Sequence, residues 1–133
     1  MIYLENLYVI TKAGVIEKKS SLDNYIREIS SKEELEELIE RMPYIRTIQA
    51  VTSKGRKELY QMAMDEYDDV EWVKVIKSVY LRVQENHYEE YELEYAKQAK
   101  EFLYKEIAIR FSVPFEKVEE FLHDIIEKQL KEF

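Results

Sequence analysis

Between Arg41 and Lys57 the chain carries Arg41, Arg46, Lys54, Arg56 and Lys57 and not one aspartate or glutamate. The whole 133-residue sequence, by contrast, holds 28 acidic against 20 basic residues and a net charge of −8. Cations gathered on a connector and on the first turn of a helix are suited to phosphate contact. Lysine and arginine neutralise the anion, and the free backbone amides of a helix start add to the attraction. Arg46, Lys54, Arg56 and Lys57 are therefore the candidate phosphate-contacting residues. The other reading of the stretch is a solvated linker with unbalanced charge, since charge runs usually mark solvent-facing surface. The negative total opposes tight autonomous binding to nucleic acid, so any such role is local.

Other chemistry is sparse. Zero cysteines exclude disulfides, thiolate zinc sites and cysteine nucleophiles. His87 and His123 stand apart, with no second ligand at a recognisable spacing and no nucleophile beside them. Glu89, Glu90, Glu92 and Glu94 fall on several faces of a helix and read as solvated charge rather than as a paired-carboxylate site. There is no glycine-rich phosphate loop and no nucleophile elbow. The expectation is a protein without catalytic residues, metal or cofactor. Trp72, off the main stripe of its helix, reads as core packing before it reads as a binding anchor.

The elements that must position the basic stretch are mostly helical. Only two glycines and two prolines leave little material for an all-β fold. Tyr91, Tyr95, Ala99, Phe102, Leu103, Ile107 and Ala108 recur at threes and fours between Tyr91 and Phe111 and predict a central helix with one apolar stripe. Ser31 and Glu34 at capping-box spacing start an earlier helix with Leu35, Leu38, Ile39 and Met42 inward, stopped by Pro43. Thr52 or Ser53 caps a helix expected to bury Leu59, Met62 and Ala63. Asp68 and Asp69 precede a helix from about Val70 to Gln84, striped by Val70, Val73, Ile76, Val79, Tyr80 and Val83. Ser112, Val113 and Pro114 lead into a last helix with Phe115, Val118, Phe121, Leu122, Ile125, Ile126 and Leu130 on its apolar face. Ahead of all these, Leu7 to Ile10 and Val15-Ile16 flank a turn at Thr11 to Gly14 and predict a β-hairpin, which must lean on the bundle, a partner chain or another protein.

The fold class expected is thus mostly α: a bundle of about five helices (residues 30–133) preceded by a short N-terminal β-hairpin and bridge (residues 1–29). No apolar run approaches the roughly 20 residues of a membrane span, and the N-terminus lacks a basic-then-apolar secretion signal, so a cytoplasmic location without membrane attachment is expected.

Several stretches resemble the CarD (CdnL) family of bacterial transcription regulators that bind RNA polymerase. They are VKVIKSVYLR from Val73 to Arg82, the spacing of Ala96 and Lys97 with Leu103, Glu106, Ile107 and Ala108, and the closing VPFEKVEEFL. Ile26 to Leu35 resembles the family's bridge into its first helix. The resemblance is best from about Gly55 to Leu122. It implies an N-terminal Tudor-like β region that grips the polymerase β subunit and a helical domain beside promoter DNA. By that resemblance Tyr8, Val9, Ile10 and Val15 lie in a shortened partner-binding hairpin. Where the family carries a tryptophan wedge this chain has Ser53, followed by Lys54, Gly55, Arg56 and Lys57, so the basic character is kept without the wedge. The function expected is a non-catalytic regulator that binds polymerase and touches promoter phosphates weakly. The alternative is an interaction module, possible as a homo-oligomer through the hairpin edge and last helix, that has lost polymerase binding.

Overall fold

The structure, a computed structural model, describes residues 7–18 and 24–131, with side chains through Ile125. Three short strands, β1 (Tyr8–Thr11), β2 (Ile16–Lys18) and β3 (Tyr25–Glu28), form an antiparallel sheet in the order β2-β1-β3. The predicted hairpin is β1–β2. Its turn is closed by Gly14 N–H to the Thr11 carbonyl at 2.9 Å, and Gly14 takes φ +78°, where a side chain would be strained. The bridge segment adds the third strand, so β1 is paired on both sides. Ile10 lies opposite Ile16, and both are buried with Ile29 in the same apolar core as the helices. The sheet leans on the bundle.

Five helices follow: α1 (Lys32–Arg41), α2 (Ser53–Asp65), α3 (Asp69–Gln84), α4 (Glu90–Phe111) and α5 (Val118–Lys131). The predicted starts carry their caps. Ser31 Oγ accepts the Glu34 amide while Glu34 returns a bond to the Ser31 amide, Thr52 accepts from Gly55, and Asp68 accepts from Val70. Each bond satisfies a backbone N–H that the helix itself leaves open. α4 ends on Ser112 in the left-handed region. Pro114 then precedes a single 3-10 turn, Phe115–Lys117, before α5 begins, rather than opening the helix itself.

α4 packs against α1, α2, α3 and α5 and is the centre of the bundle. Which faces it and its neighbours bury differs in detail from the periodic reading. On α4, Ala99, Leu103 and Ile107 are buried as expected, but Tyr91, Tyr95, Phe102 and Ala108 only flank the core, and Ala96, Tyr104, Glu92 and Glu106 share the buried face. On α2 the buried residues are Tyr60, Ala63 and Met64, whereas Leu59 and Met62 are exposed. The phenol of Tyr60 fixes that rotation, with its ring between those of Tyr91 (6.3 Å) and Tyr95 (5.7 Å). On α3, Val73 and Val79 are buried, Tyr80 is 62% exposed, and Trp72 and Val75 take the interior. Trp72 stacks on Phe102 at 4.9 Å between ring centroids, so it is a core residue. On the last apolar face Val118 and Leu122 are buried, Phe121 and Ile125 are half-buried, and Phe115 projects from the 3-10 turn with 43% exposure. The side chains of Ile126 and Leu130 lie outside the described residues.

Candidate nucleic-acid interface and two buried carboxylates

The basic stretch has no regular structure from Ile45 to Ala50, yet α3 holds it closely. Lys77 Nζ donates to the carbonyls of Met42 (2.8 Å) and Ile45 (2.6 Å), capping the short 3-10 turn that contains Pro43. Burial pushes the Lys77 ammonium below its usual pKa. At the next residue of α3, Ser78 Oγ accepts the Ile48 amide at 2.7 Å. Lys77 thus serves the connector rather than solvent.

The start of α2 is tied down from α4. Ser53 Oγ donates to the Glu89 carboxylate, and Tyr91 Oη donates to the Ser53 carbonyl at 3.1 Å. The hydroxyl of Ser53 holds the Glu89 carboxyl below its ordinary pKa. Glu89 thereby places one negative charge within the basic stretch, a cancellation invisible in the run from Arg41 to Lys57. Arg46, Lys54 and Lys57 are exposed, Lys57 with its ammonium 5.8 Å from the centre of the Tyr91 ring. Arg56 is half-buried and donates to the Ala50 carbonyl at 3.2 Å, so it supports the connector more than it faces solvent. Val51, between these cations, is fully exposed.

The hairpin residues separate in a similar way. Val9 and Ile10 are buried, Tyr8 is half-buried against the core, and Val15 at the turn is exposed. Of the four, Val15 and part of Tyr8 are open to a partner.

Glu92, expected as solvated charge, and Glu106 are both completely buried. Glu92 accepts from Arg82 Nε (2.6 Å), Tyr60 Oη (2.8 Å) and, in a capping box, the Glu89 amide (2.8 Å). Burial, then the adjoining Glu92 carboxylate, raises the Tyr60 phenol above its usual pKa. Glu106 faces Arg27, whose Nη2 lies 3.0 Å from its Oε1 and 3.3 Å from Asp69 Oδ1. Arg27 Nε donates to the Tyr67 carbonyl at 2.6 Å, and its guanidinium lies 5.2 Å from the Trp72 ring. Tyr67 holds φ +52°, an uncommon geometry for a bulky residue, with its ring edge-on to Phe102 and its carbonyl fixed by Arg27. The glutamate at N3 of α4, three residues after Glu89, was a legible capping signal for Glu92. Nothing local marks Glu106.

His87 and His123 are both exposed, and the described residues hold no group of three or more metal-ligating side chains. Among those residues no helix is long and apolar enough to cross a membrane. The larger depressions are open. One of about 560 Å³ between α3 and α4 is lined by Tyr80, Val83, Leu93 and Phe115, and another of about 650 Å³ by Val15, Tyr67, Phe102 and Phe115. They share Phe115 and Glu101. No known protein family and no curated protein gives a significant match to the chain.

Proposed function

We propose that the chain is a non-catalytic, CarD-like transcription regulator that docks on RNA polymerase and lays Arg46, Lys54 and Lys57 along promoter DNA phosphates. The observation that carries the reading is an acid-free stretch from the connector into the start of α2, with Arg46, Lys54 and Lys57 exposed, held through Lys77, Ser78 and Tyr91 on the two longest helices. A fixed mount suits contacts that position a duplex without reading its bases. Polymerase supplies most of the affinity, because the net charge of −8 disfavours DNA on its own. The β subunit is the expected partner by resemblance, with Val15 and Tyr8 the available hairpin contacts.

The test is binding of the purified chain to core polymerase with and without fork-junction promoter DNA, for the natural sequence and for Arg46→Glu, Lys54→Glu and Lys57→Glu together. Three phosphate contacts give a salt slope of about 2.7 in the DNA-dependent part, at about 0.9 per phosphate. The triple variant removes that slope and keeps the DNA-independent affinity. Polymerase binding that is absent, or a slope that survives the reversal, refutes the reading.

A protein-interaction module is the second reading, favoured by the two apolar depressions that meet at the exposed Phe115 ring. Among the described residues β2 and β3 are also the outer strands of the sheet, a feature that invites self-pairing. Removing residues 1–19 would strip Ile10 and Ile16 from the core, so point changes are the usable probe. Sedimentation of Val15→Lys and Phe115→Asp is informative: a monomer that is unaffected by either removes the self-association form of this reading.

A further inference from the structure

Tyr80, Val83, Leu93 and Phe115 are large apolar side chains left exposed along one face of α3 and α4. The two helices run antiparallel, since Arg82 meets Glu92 at one end and Trp72 stacks on Phe102 toward the other. Val83 and Leu93 therefore share one end of the face, with Tyr80 beside them. Phe115 stands at the opposite end, its ring 6.4 Å from that of Tyr104. From Leu93 to Tyr104 along α4 is about 16 Å, at about 1.5 Å per residue. The depression of about 560 Å³ thus has an apolar notch at one end and a projecting apolar ring at the other.

Charge decides what kind of surface can cover this face. A chain of net charge −8 repels its own copies over most of its surface. The two depressions that meet at Phe115 are balanced instead, with Lys97, Lys100 and Lys105 against Glu101, Glu116 and Glu119. Lys100 pairs with Glu119 (3.1 Å), and Lys105 is turned to the Ile16 carbonyl (3.1 Å). Lys97 and Glu101 are exposed and, among the described residues, have no ion-pair partner. Placed lysine first and one turn apart on α4, they stand in the weaker order for pairing with each other. A purely basic or purely acidic partner satisfies one of them and repels the other. A twofold-related copy satisfies both, because it presents the same two residues in reverse order.

We propose that this face is an interface between two copies of the chain, related by a twofold axis that crosses α4 midway between Lys97 and Glu101, at the level of Ala99. That axis sets the two α4 helices antiparallel, with Lys97 of each copy facing Glu101 of the other. The same axis serves the apolar residues. Leu93 and Tyr104 lie at nearly equal distances on either side of Ala99, so the Phe115 ring beside Tyr104 of one copy falls into the notch of Tyr80, Val83 and Leu93 of the other. Charges and rings are met by one operation, and each contact is made twice. The inference rests on the interaction-module reading, whose partner it names, and is independent of polymerase.

Sedimentation velocity over a dilution series reaching about 1 mM, the weak limit of specific association, tests the interface. The natural chain is expected to pass from monomer to dimer within the series. Phe115→Asp and Lys97→Glu, each checked for folding by circular dichroism, raise the dissociation constant about tenfold or more, because a carboxylate in the apolar notch or a like charge across the axis opposes the contact. Lys97→Glu combined with Glu101→Lys in one chain restores the dimer, since the pairs form again with their signs exchanged. The chain has no cysteine, so Leu93→Cys mixed with Phe115→Cys gives a covalent dimer on oxidation, whereas Leu59→Cys on α2 mixed with Phe115→Cys does not. A monomer throughout the series overturns the inference together with the self-association form of the interaction-module reading. A dimer indifferent to both single charge changes, a double exchange that fails to restore it, or oxidation that joins the Leu59→Cys mixture as readily overturns this interface alone and leaves self-association elsewhere on the molecule.

Discussion

Replacing Arg82 by methionine leaves Glu92 as a buried carboxylate with its cation removed. Methionine keeps much of the length and apolar stem of arginine, so packing along α3 is largely retained. Glu92 then keeps two neutral donors, Tyr60 Oη and the Glu89 amide, both at 2.8 Å, and loses Arg82 Nε at 2.6 Å. Removing one partner of a buried pair costs about 3–5 kcal/mol. The two remaining donors place this case near about 3 kcal/mol, equivalent to a fall in Tm of roughly 12 °C for a chain of this length. Urea unfolding followed by far-UV circular dichroism measures it, with Glu92→Gln and the double variant closing a thermodynamic cycle. Because the penalty is the orphaned charge, the double variant recovers most of the loss. A loss below about 1 kcal/mol in Arg82→Met, or a double variant as unstable as the two single changes summed, refutes the reasoning, with these bounds set by the usual worth of one hydrogen bond.

Three further outcomes follow from the same structure. Tyr60→Phe removes a donor from buried Glu92 and costs about 1–3 kcal/mol, whereas Leu59→Glu and Met62→Glu on the exposed side of α2 stay within about 0.5 kcal/mol; the reverse order in urea midpoints would restore the periodic reading of that helix. Ser31→Ala breaks the capping box of α1 and costs about 1 kcal/mol, read from the same unfolding curves, and no loss would mean that the cap contributes nothing. Stability also carries a pH signature from Glu106, whose carboxyl is pushed up from its ordinary 4.5 to about 9 by burial and then by the neighbouring Asp69 carboxylate. The native state holds the extra proton in that window, so stability is greatest below the lower value and declines as pH rises through the window, by up to about 1.4 kcal/mol per unit. Glu106→Gln flattens that contribution, and unfolding curves that stay parallel to those of the natural chain at pH 5.5 and 8 would contradict it.

The two buried glutamates divide the molecule's electrostatics into distinct duties. Glu92 is fully satisfied and ties α2, α3 and the start of α4 at one end of the bundle. Glu106, toward the other end of the same helix, is short of donors and meets the sheet. The connector with the exposed cations is held beside the satisfied end, through Ser53, Glu89 and Tyr91.

Element type and order were readable from the chain because they depend on local chemistry. Ser31 with Glu34, Thr52, Asp68 and Pro43 act within a few residues of themselves, and the caps and stops they predict are present. The apolar character of α1 and α4, and the turn at Gly14, are equally local. Which arc of a helix is buried was less legible. Periodicity identifies an apolar side, but on α2 a tyrosine answering a carboxylate thirty-two residues away decides the rotation. Basic composition between Arg41 and Lys57 was plain, but its division into exposed Arg46, Lys54 and Lys57 and a supporting Arg56 required the fold. Glu92 read as one of several solvated glutamates and nothing marked Glu106 as buried, since nothing in a carboxylate's own neighbours along the chain records that Arg82 or Arg27 will be folded against it. Burial of charge is a property of assembled helices and strands, so only the tertiary structure settled which acids are solvated and which hold the molecule together.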